Sequence, residues 1–150
     1  DNNWIMAYVH IAHDCIIGNH TVFANNSTLA GHVMIDDYVI LGGFTGVHQF
    51  CHVGAYSFSA ISSVIVKDVP PFLMVSGNTA KPSGLNREGL KRHGFDSQQI
   101  NELKKAYKVL YRDGNTLLEA TEKLQQLAVG SEPLNRLLNF IKGTTRGLTR

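Results

Sequence analysis

Six of the chain's seven histidines fall within its first 52 residues: His10, His13, His20, His32, His48 and His52. An unperturbed imidazole titrates near pH 6.5, so at neutral pH it can take a proton from a hydroxyl, and an adjacent carboxylate can fix its tautomer. Asp14 directly follows His13. His10-x-x-His13 also offers two imidazole donors to zinc. A third reading is a histidine-rich surface without a role. The choice among them depends on which residues the fold brings together.

A six-residue repeat decides that. Ile5, Ile11, Ile17, Phe23, Leu29, Ile35, Leu41, Val47, Val53, Ser59 and Ile65 recur at every sixth position, and all but Ser59 are large and apolar. The next position is mostly small: Ala12, Gly18, Ala24, Ala30, Gly42, Gly54 and Ala60. Four places on stands a small or β-branched residue: Val9, Cys15, Thr21, Ser27, Val33, Val39, Thr45, Cys51, Ser57 and Ser63. A period of six suits neither an amphipathic helix nor a hairpin. It suits a short strand, a bend and another strand, with three units closing a triangular coil of 18 residues. The aliphatic side chain fills the interior, and the small positions are expected to allow the sharp bend.

Removing multiples of 18 compares positions around the coil. His13, Gly31 and Gln49 share one column. Asp14 and His32 share the next, His48 lies one column earlier, and His10 lies three before His13. Coils about 4.8 Å apart place all seven residues on one edge over roughly 10 Å. His48 occupies a position that other repeats fill with a small residue, and breaks in a pattern often mark function. His20 and His52 fall elsewhere and read as surface residues. Cys15 and Cys51 lie two coils apart in one column, about 10 Å, too far for a disulfide. Both read as reduced packing residues, consistent with the cytoplasm.

The solenoid is expected over 1–68, ending at Val69-Pro70-Pro71, because paired prolines cannot continue a strand ladder. Residues 69–85 read as a linker loop and 86–150 as a small helical domain. Helices are expected over 86–93, over 96–111 with Asp96 and Gln99 as a capping box, from Thr116 with Glu119, and from Ser131-Glu132-Pro133. Ile100, Leu103, Tyr107 and Leu110 would form one apolar stripe, and Leu117, Ala120, Leu124 and Leu127 another.

Net charge is +2, but unevenly spread. Residues 1–68 hold five acids and one base, whereas 80–112 hold eight bases and three acids. The basic segment reads as a solvated face or as a surface for an anionic partner, such as a diphosphate or an acidic protein. Nucleic acid is not expected, since aromatic and basic residues do not interleave on a recognisable module. No apolar run is long enough to span a membrane. The start carries no signal-peptide pattern, which again suggests the cytoplasm.

Several motifs carry a family resemblance. His10-Ile-Ala-His13-Asp14-Cys15, Ala24-Asn25-Asn26-Ser-Thr-Leu-Ala-Gly31-His32 and Gly42-Gly43-x-x-x-Val47-His48-Gln49-Phe50-Cys51 resemble the UDP-N-acetylglucosamine O-acyltransferases of lipid A biosynthesis. Asp68-Val-Pro-Pro71, Gly89-Leu-Lys-Arg92 and Thr145-Arg-Gly-Leu148 match as well, so the resemblance runs over essentially the whole chain. It implies a left-handed parallel β-helix with C-terminal helices, assembled as a homotrimer. It implies transfer of an (R)-3-hydroxyacyl group from acyl carrier protein to the 3-hydroxyl of UDP-N-acetylglucosamine. No cofactor or metal is implied beyond the carrier's phosphopantetheine. His13 matches the general base, Asp14 its orienting partner, and the Gly31 N–H the oxyanion donor. His10, His32, His48 and Gln49 match positions touching the nucleotide sugar or the thioester. Asn86, Glu88 and Arg92 match contacts to the nucleotide and the phosphopantetheine arm.

Two positions depart from the family. His93 stands where a second Arg is common. Ile61 stands where long-chain members have Gly at the end of the acyl groove, so a medium-length acyl chain is expected. The resemblance also implies several coils before Asp1, carrying further substrate contacts. The chain therefore reads as a fragment or a naturally truncated homologue, with an uncapped first coil. Three alternatives stay open: the related N-acyltransferase of the same pathway, a zinc-dependent trimeric β-helix enzyme of the γ-carbonic anhydrase kind, and a non-catalytic trimeric module that binds acyl carrier protein.

Overall fold

The computed structural model describes residues 1–150. Its first unit comprises residues 1–86 and 144–150, and its second residues 87–143. The first unit is a left-handed parallel β-helix of about four turns. Its strands are two residues long and recur every six: β1 (Trp4–Ile5), β2 (His10–Ile11), β3 (Ile16–Ile17), β4 (Val22–Phe23), β5 (Thr28–Leu29), β6 (Met34–Ile35), β7 (Ile40–Leu41), β8 (Gly46–Val47), β9 (His52–Val53), β10 (Phe58–Ser59) and β11 (Val64–Ile65). Each of β1 to β8 pairs in parallel with the strand three places on, as in Trp4↔Val22, His10↔Thr28 and Ile16↔Met34. These registers give the 18-residue coil.

The second residue of each strand fills the interior. Phe23, Leu29, Ile35, Leu41, Val47, Val53 and Ile65 are all buried. Ser59 interrupts the series without being left unsatisfied. Its Oγ lies 2.9 Å from Thr45 Oγ1, and it accepts from the Gly42 N–H at 3.3 Å. A hydroxyl pair of this kind avoids the cost of an unpaired buried polar group.

The bend does not sit where the small residues suggest. The left-handed backbone occurs two residues beyond the small position, at Asn2, Tyr8, Asp14, His20, Asn26, His32, Tyr38, Phe44, Phe50, Tyr56 and Ser62, with φ between 57° and 65°. None of these is Gly. The small residues serve a different need, which is the close approach of the next coil. A Cβ on Gly42 would meet Ser59 O at 2.6 Å, and one on Gly54 would meet Pro71 N at 2.4 Å.

Residues 69–85 are not a linker loop. Pro70 and Pro71 are buried at a corner, and β12 (Leu73–Ser76) then pairs in parallel with β10. β13 (Lys81–Leu85) returns antiparallel to β12, with a register shift between Met74 and Val75. Leu73 and Val75 are buried, and Phe72 stacks on Tyr56 with centroids 5.9 Å apart. Apolar filling and ring stacking thus carry the solenoid past the prolines, which take a turn position where no ladder donor is required.

The reading of 86–150 as one helical domain is corrected at its end. Residues 144–150 belong with the solenoid. Asp68 N–H donates to Gly147 O, and Thr149 N–H donates to Asp68 O, both at 2.9 Å. The buried Asp68 carboxylate accepts from the His52 N–H at 2.8 Å and from Thr144 Oγ1 at 2.5 Å. These fixed partners hold the tail in place.

The second unit contains α1 (Arg87–Arg92), α2 (Ser97–Tyr111), α3 (Leu117–Leu127) and α4 (Glu132–Gly143). Asp96 and Gln99 form the expected capping box, and Thr116 caps α3 by accepting from the Glu119 N–H. Two stripe positions shift. Ala106 is buried in place of Tyr107, and Ala128 is buried while Leu127 is exposed. No helix is long and apolar enough to cross a membrane.

Gly54→Ala should destabilise the solenoid by about 1–3 kcal/mol, because the added methyl meets the Pro71 backbone rather than a flexible side chain. Urea unfolding followed by circular dichroism measures it; a wild-type midpoint would show that the two coils can separate at no cost. Asp96→Ala should cost the second unit about 1 kcal/mol through loss of the cap.

Candidate active site

His13 follows β2 by two residues and is exposed. Its Nδ1 lies 3.0 Å from Asp14 Oδ2. Asp14 occupies the left-handed corner, with φ 60°, which turns its carboxylate alongside the preceding imidazole. One coil on, His32 brings Nε2 to 3.7 Å from the same Asp14 oxygen. The His13 and His32 rings meet edge to face at 5.2 Å. The His13 hydrogen bond and the nearby His32 hold the Asp14 carboxyl below its usual range, so it is ionised throughout the neutral range.

Gly31 is the counterpart of His13 on the next coil. A Cβ there would meet His13 Cε1 at 2.6 Å and Nε2 at 2.7 Å. The imidazole therefore lies against the Gly31 backbone, in space that any side chain would occupy. Gly31 O accepts from the Phe50 N–H at 3.2 Å, whereas the Gly31 N–H has no acceptor in the chain. A free backbone donor thus sits beside a histidine whose Nδ1 is turned to a carboxylate. Such a pairing can stabilise developing negative charge while moving a proton.

Other predicted residues line the same edge. His10 is exposed on β2 in register with Thr28 and Gly46. His48 and Gln49 are exposed on the third coil of the column, with the His48 N–H fixed to Ile65 O at 2.8 Å. Of the C-terminal candidates, Asn86 is buried at the end of the solenoid unit, donating from Nδ2 to Tyr56 O at 2.9 Å. Glu88 and Arg92 are exposed on α1, and Glu88 pairs with Lys91 at 3.6 Å. His93 is exposed just beyond that helix. Ile61, 71% exposed, belongs to a different edge from His13: less multiples of 18 it falls at position 7, and His13 at 13.

One neighbour of the site has no role assigned by the motif that contains it, and one histidine outside the site differs from its expected setting. Phe50 stacks on His32 at 4.8 Å and 13°. It shares the Asp14 and His32 column, so the 18-residue arithmetic contains the signal. His52, expected as a plain surface residue, is half-buried with Nε2 2.8 Å from Asp36 Oδ1.

His13, Asp14 and His32 could present one ligand atom each to a metal, all within 4.8 Å of one another. The cysteines stand apart from this chemistry. Cys15 Sγ donates to Ala30 O at 3.2 Å. Burial, reinforced by Asp68, pushes the Cys51 thiol up to about 11, which makes it a poor nucleophile.

Comparison with known proteins gives the chain its relatives. Residues 68–149 fit the family profile described as UDP N-acetylglucosamine O-acyltransferase, domain 2, and residues 1–31 fit the bacterial transferase hexapeptide profile. An acyl-[acyl-carrier-protein]–UDP-N-acetylglucosamine O-acyltransferase from Thiobacillus denitrificans is 58% identical over 149 residues, covering 99% of this chain and 58% of the relative. The crystal structure of UDP-N-acetylglucosamine acyltransferase from Francisella novicida superposes with a TM-score of 0.97 at 46% identity, over 99% of this chain and 55% of that one. The Moraxella catarrhalis UDP-N-acetylglucosamine O-acyltransferase gives a TM-score of 0.96 at 42% identity, over 100% and 58%. The chain therefore spans a little under three-fifths of the length of these relatives. Since the first of these profiles alone covers more than half of its residues, the chain belongs to the UDP-N-acetylglucosamine O-acyltransferase family.

Proposed function

We propose that the chain carries the catalytic edge of an O-acyltransferase that moves an (R)-3-hydroxyacyl group from acyl carrier protein to the 3-hydroxyl of UDP-N-acetylglucosamine, the first step of lipid A biosynthesis. One observation carries this reading: His13 is held between the Asp14 carboxylate and the bare Gly31 backbone, whose N–H is unspent.

The roles follow from the atoms. Asp14 takes the Nδ1–H and leaves Nε2 as the basic nitrogen. Nε2 removes the proton from the sugar hydroxyl as its oxygen attacks the thioester carbonyl. The carbonyl oxygen becomes an oxyanion and accepts from the Gly31 N–H. When the intermediate collapses, the C–S bond breaks, the sulfur leaves as thiolate and takes the proton back from Nε2. The products are an ester and a thiol, and His13 returns to its starting state. No cofactor enters beyond the phosphopantetheine that carries the acyl group. His10, His32, His48 and Gln49 would hold the nucleotide sugar and thioester along the same edge. Asn86, Glu88 and Arg92 would contact the nucleotide and the phosphopantetheine arm; a guanidinium suits the phosphate bidentately.

We further infer a homotrimer. Ile61 and His13 occupy different edges of the β-helix, in its fourth and first coils, and a groove running between two packed chains would bring such edges together. Ile61 would shorten that groove and favour a medium-length acyl chain. Two thiols without a disulfide support placing the reaction in the cytoplasm. The competing zinc reading draws on the donors of His13, Asp14 and His32. Turnover that requires one zinc per chain would replace the general-base mechanism.

His13→Ala should lower turnover by roughly 10²–10⁴-fold, the usual contribution of a general base, with oligomeric state unchanged. Retained turnover would remove His13 from that role. Gly31→Ala keeps the N–H but forces the imidazole aside, and should cost about 10²-fold in kcat. Ile61→Gly should shift acyl preference towards longer chains in a competition assay with mixed acyl carrier protein thioesters. A wild-type preference for long chains, or an unchanged profile in the variant, would refute the groove-shortening role.

A further inference from the structure

Phe50 follows His48 and Gln49 at a corner of the solenoid, with φ 65°. Its side chain is 54% exposed. Neither setting asks for a large apolar ring. Corners of the same geometry hold Asn2, Asn26 and Ser62. A ring left half in water also gains only part of the benefit of burial. What the ring does meet is His32: the two planes lie 13° from parallel, with centroids 4.8 Å apart. The Phe50 N–H separately donates to Gly31 O at 3.2 Å. That bond does not involve the ring, so a side-chain substitution leaves it in place.

The stack fixes the plane of an imidazole that has two neighbours in the site. His32 turns Nε2 towards Asp14 Oδ2 at 3.7 Å, and its ring stands at 86° to that of His13, 5.2 Å away. A separation of 3.7 Å is too long for a hydrogen bond to hold the ring. Rotation of an exposed imidazole about χ2 is otherwise soft. Phe50 therefore supplies the restraint that the carboxylate does not. His32 Nδ1, on the other side of the ring, makes no hydrogen bond within the chain. With the proton on the nitrogen that faces the carboxylate, Nδ1 carries the lone pair. We propose that Phe50 is a positioning residue of the acyl transfer: its ring holds His32 with Nε2 facing Asp14 and Nδ1 open to accept from a donor group of the substrate. The proposal rests on the acyl-transfer reading above. It adds a residue that acts through His32 and takes no part in proton transfer.

Steady-state kinetics on the whole chain, with an acyl carrier protein thioester and UDP-N-acetylglucosamine, test the ring. Phe50→Leu should lower kcat/KM about tenfold, whereas Phe50→Tyr, which keeps a flat ring, should stay within about twofold of the wild type. In a His32→Ala background Phe50→Leu should cost nothing more, because its effect passes through that imidazole. A purely structural ring would lower both backgrounds alike. An equal loss with His32→Ala therefore overturns the proposal, as does wild-type kcat/KM in Phe50→Leu. Nitrogen-15 spectra of the imidazoles read the same arrangement without turnover, at about pH 8, where an unperturbed imidazole is neutral. His32 should give well-separated Nδ1 and Nε2 signals in the wild type and in Phe50→Tyr, and signals averaged towards each other in Phe50→Leu. Unchanged separation in Phe50→Leu overturns the proposal. Absence of transfer by the wild type would sink the acyl-transfer reading instead, and the spectra would still decide whether Phe50 holds His32.

Discussion

The structure depends on a left-handed corner that recurs every six residues. At each corner a non-glycine residue takes φ near 60°, which is sterically costly, by about 1 kcal/mol or more. Two local interactions offset it. The corner N–H donates to the carbonyl of the preceding residue's column one coil earlier: His32 to His13, Phe44 to Asn25, Phe50 to Gly31, Tyr56 to Asp37. Such a bond contributes about 1 kcal/mol net. Rings then stack up the column, His20 on Tyr38 at 5.0 Å and Tyr38 on Tyr56 at 4.8 Å. Each stacked pair contributes about 0.5–1.5 kcal/mol beyond its buried area.

That bonding scheme creates the site. At His13, Asn25, Gly31 and Gly43 the residue before the corner gives its carbonyl to the next coil, but its own N–H finds no backbone acceptor. A column of free donors is therefore a by-product of the fold. Most members of such a column serve only water. At Gly31 the absence of a side chain lets an imidazole lie beside the donor, and the donor acquires chemical use. Asp14 occupies the corner itself, so the residue strained into the left-handed region is the one whose carboxylate meets the His13 imidazole. His32 and Phe50 continue its column and brace it from the next coils.

Sequence periodicity reveals the coil, its length and the shared edge of the histidines because interior filling depends on side-chain size, which composition records directly. It misplaces the bend because no glycine marks it; the corner is held by hydrogen bonds between coils, which leave little trace in residue type. Residues 69–85 mislead for a related reason. Pro70 and Pro71 argue locally against a strand, and only the packing of Phe72, Leu73 and Val75 on the preceding coil restores one. The place of residues 144–150 is hidden for a simpler cause. Their partner, Asp68, is 76 positions away from Thr144. At the site, the arithmetic assembles His13, Asp14, Gly31 and His32. Phe50 stands in the same column but has no titratable group, so a search for proton chemistry passes over it.

Gly31 shows how position and chemistry constrain one another. Its φ is not in the left-handed region, so its backbone would accept any L-residue. The corner does not demand glycine either, since His32 holds that place. What excludes a side chain is the His13 ring, whose nearest atoms stand 2.6 and 2.7 Å from where a Cβ would be. The three atoms nearest that position all belong to the ring. The glycine is thus a consequence of the histidine, not of the fold. The two residues, 18 apart in sequence, place an imidazole and an unspent backbone N–H side by side, which is the arrangement the proposed acyl transfer uses.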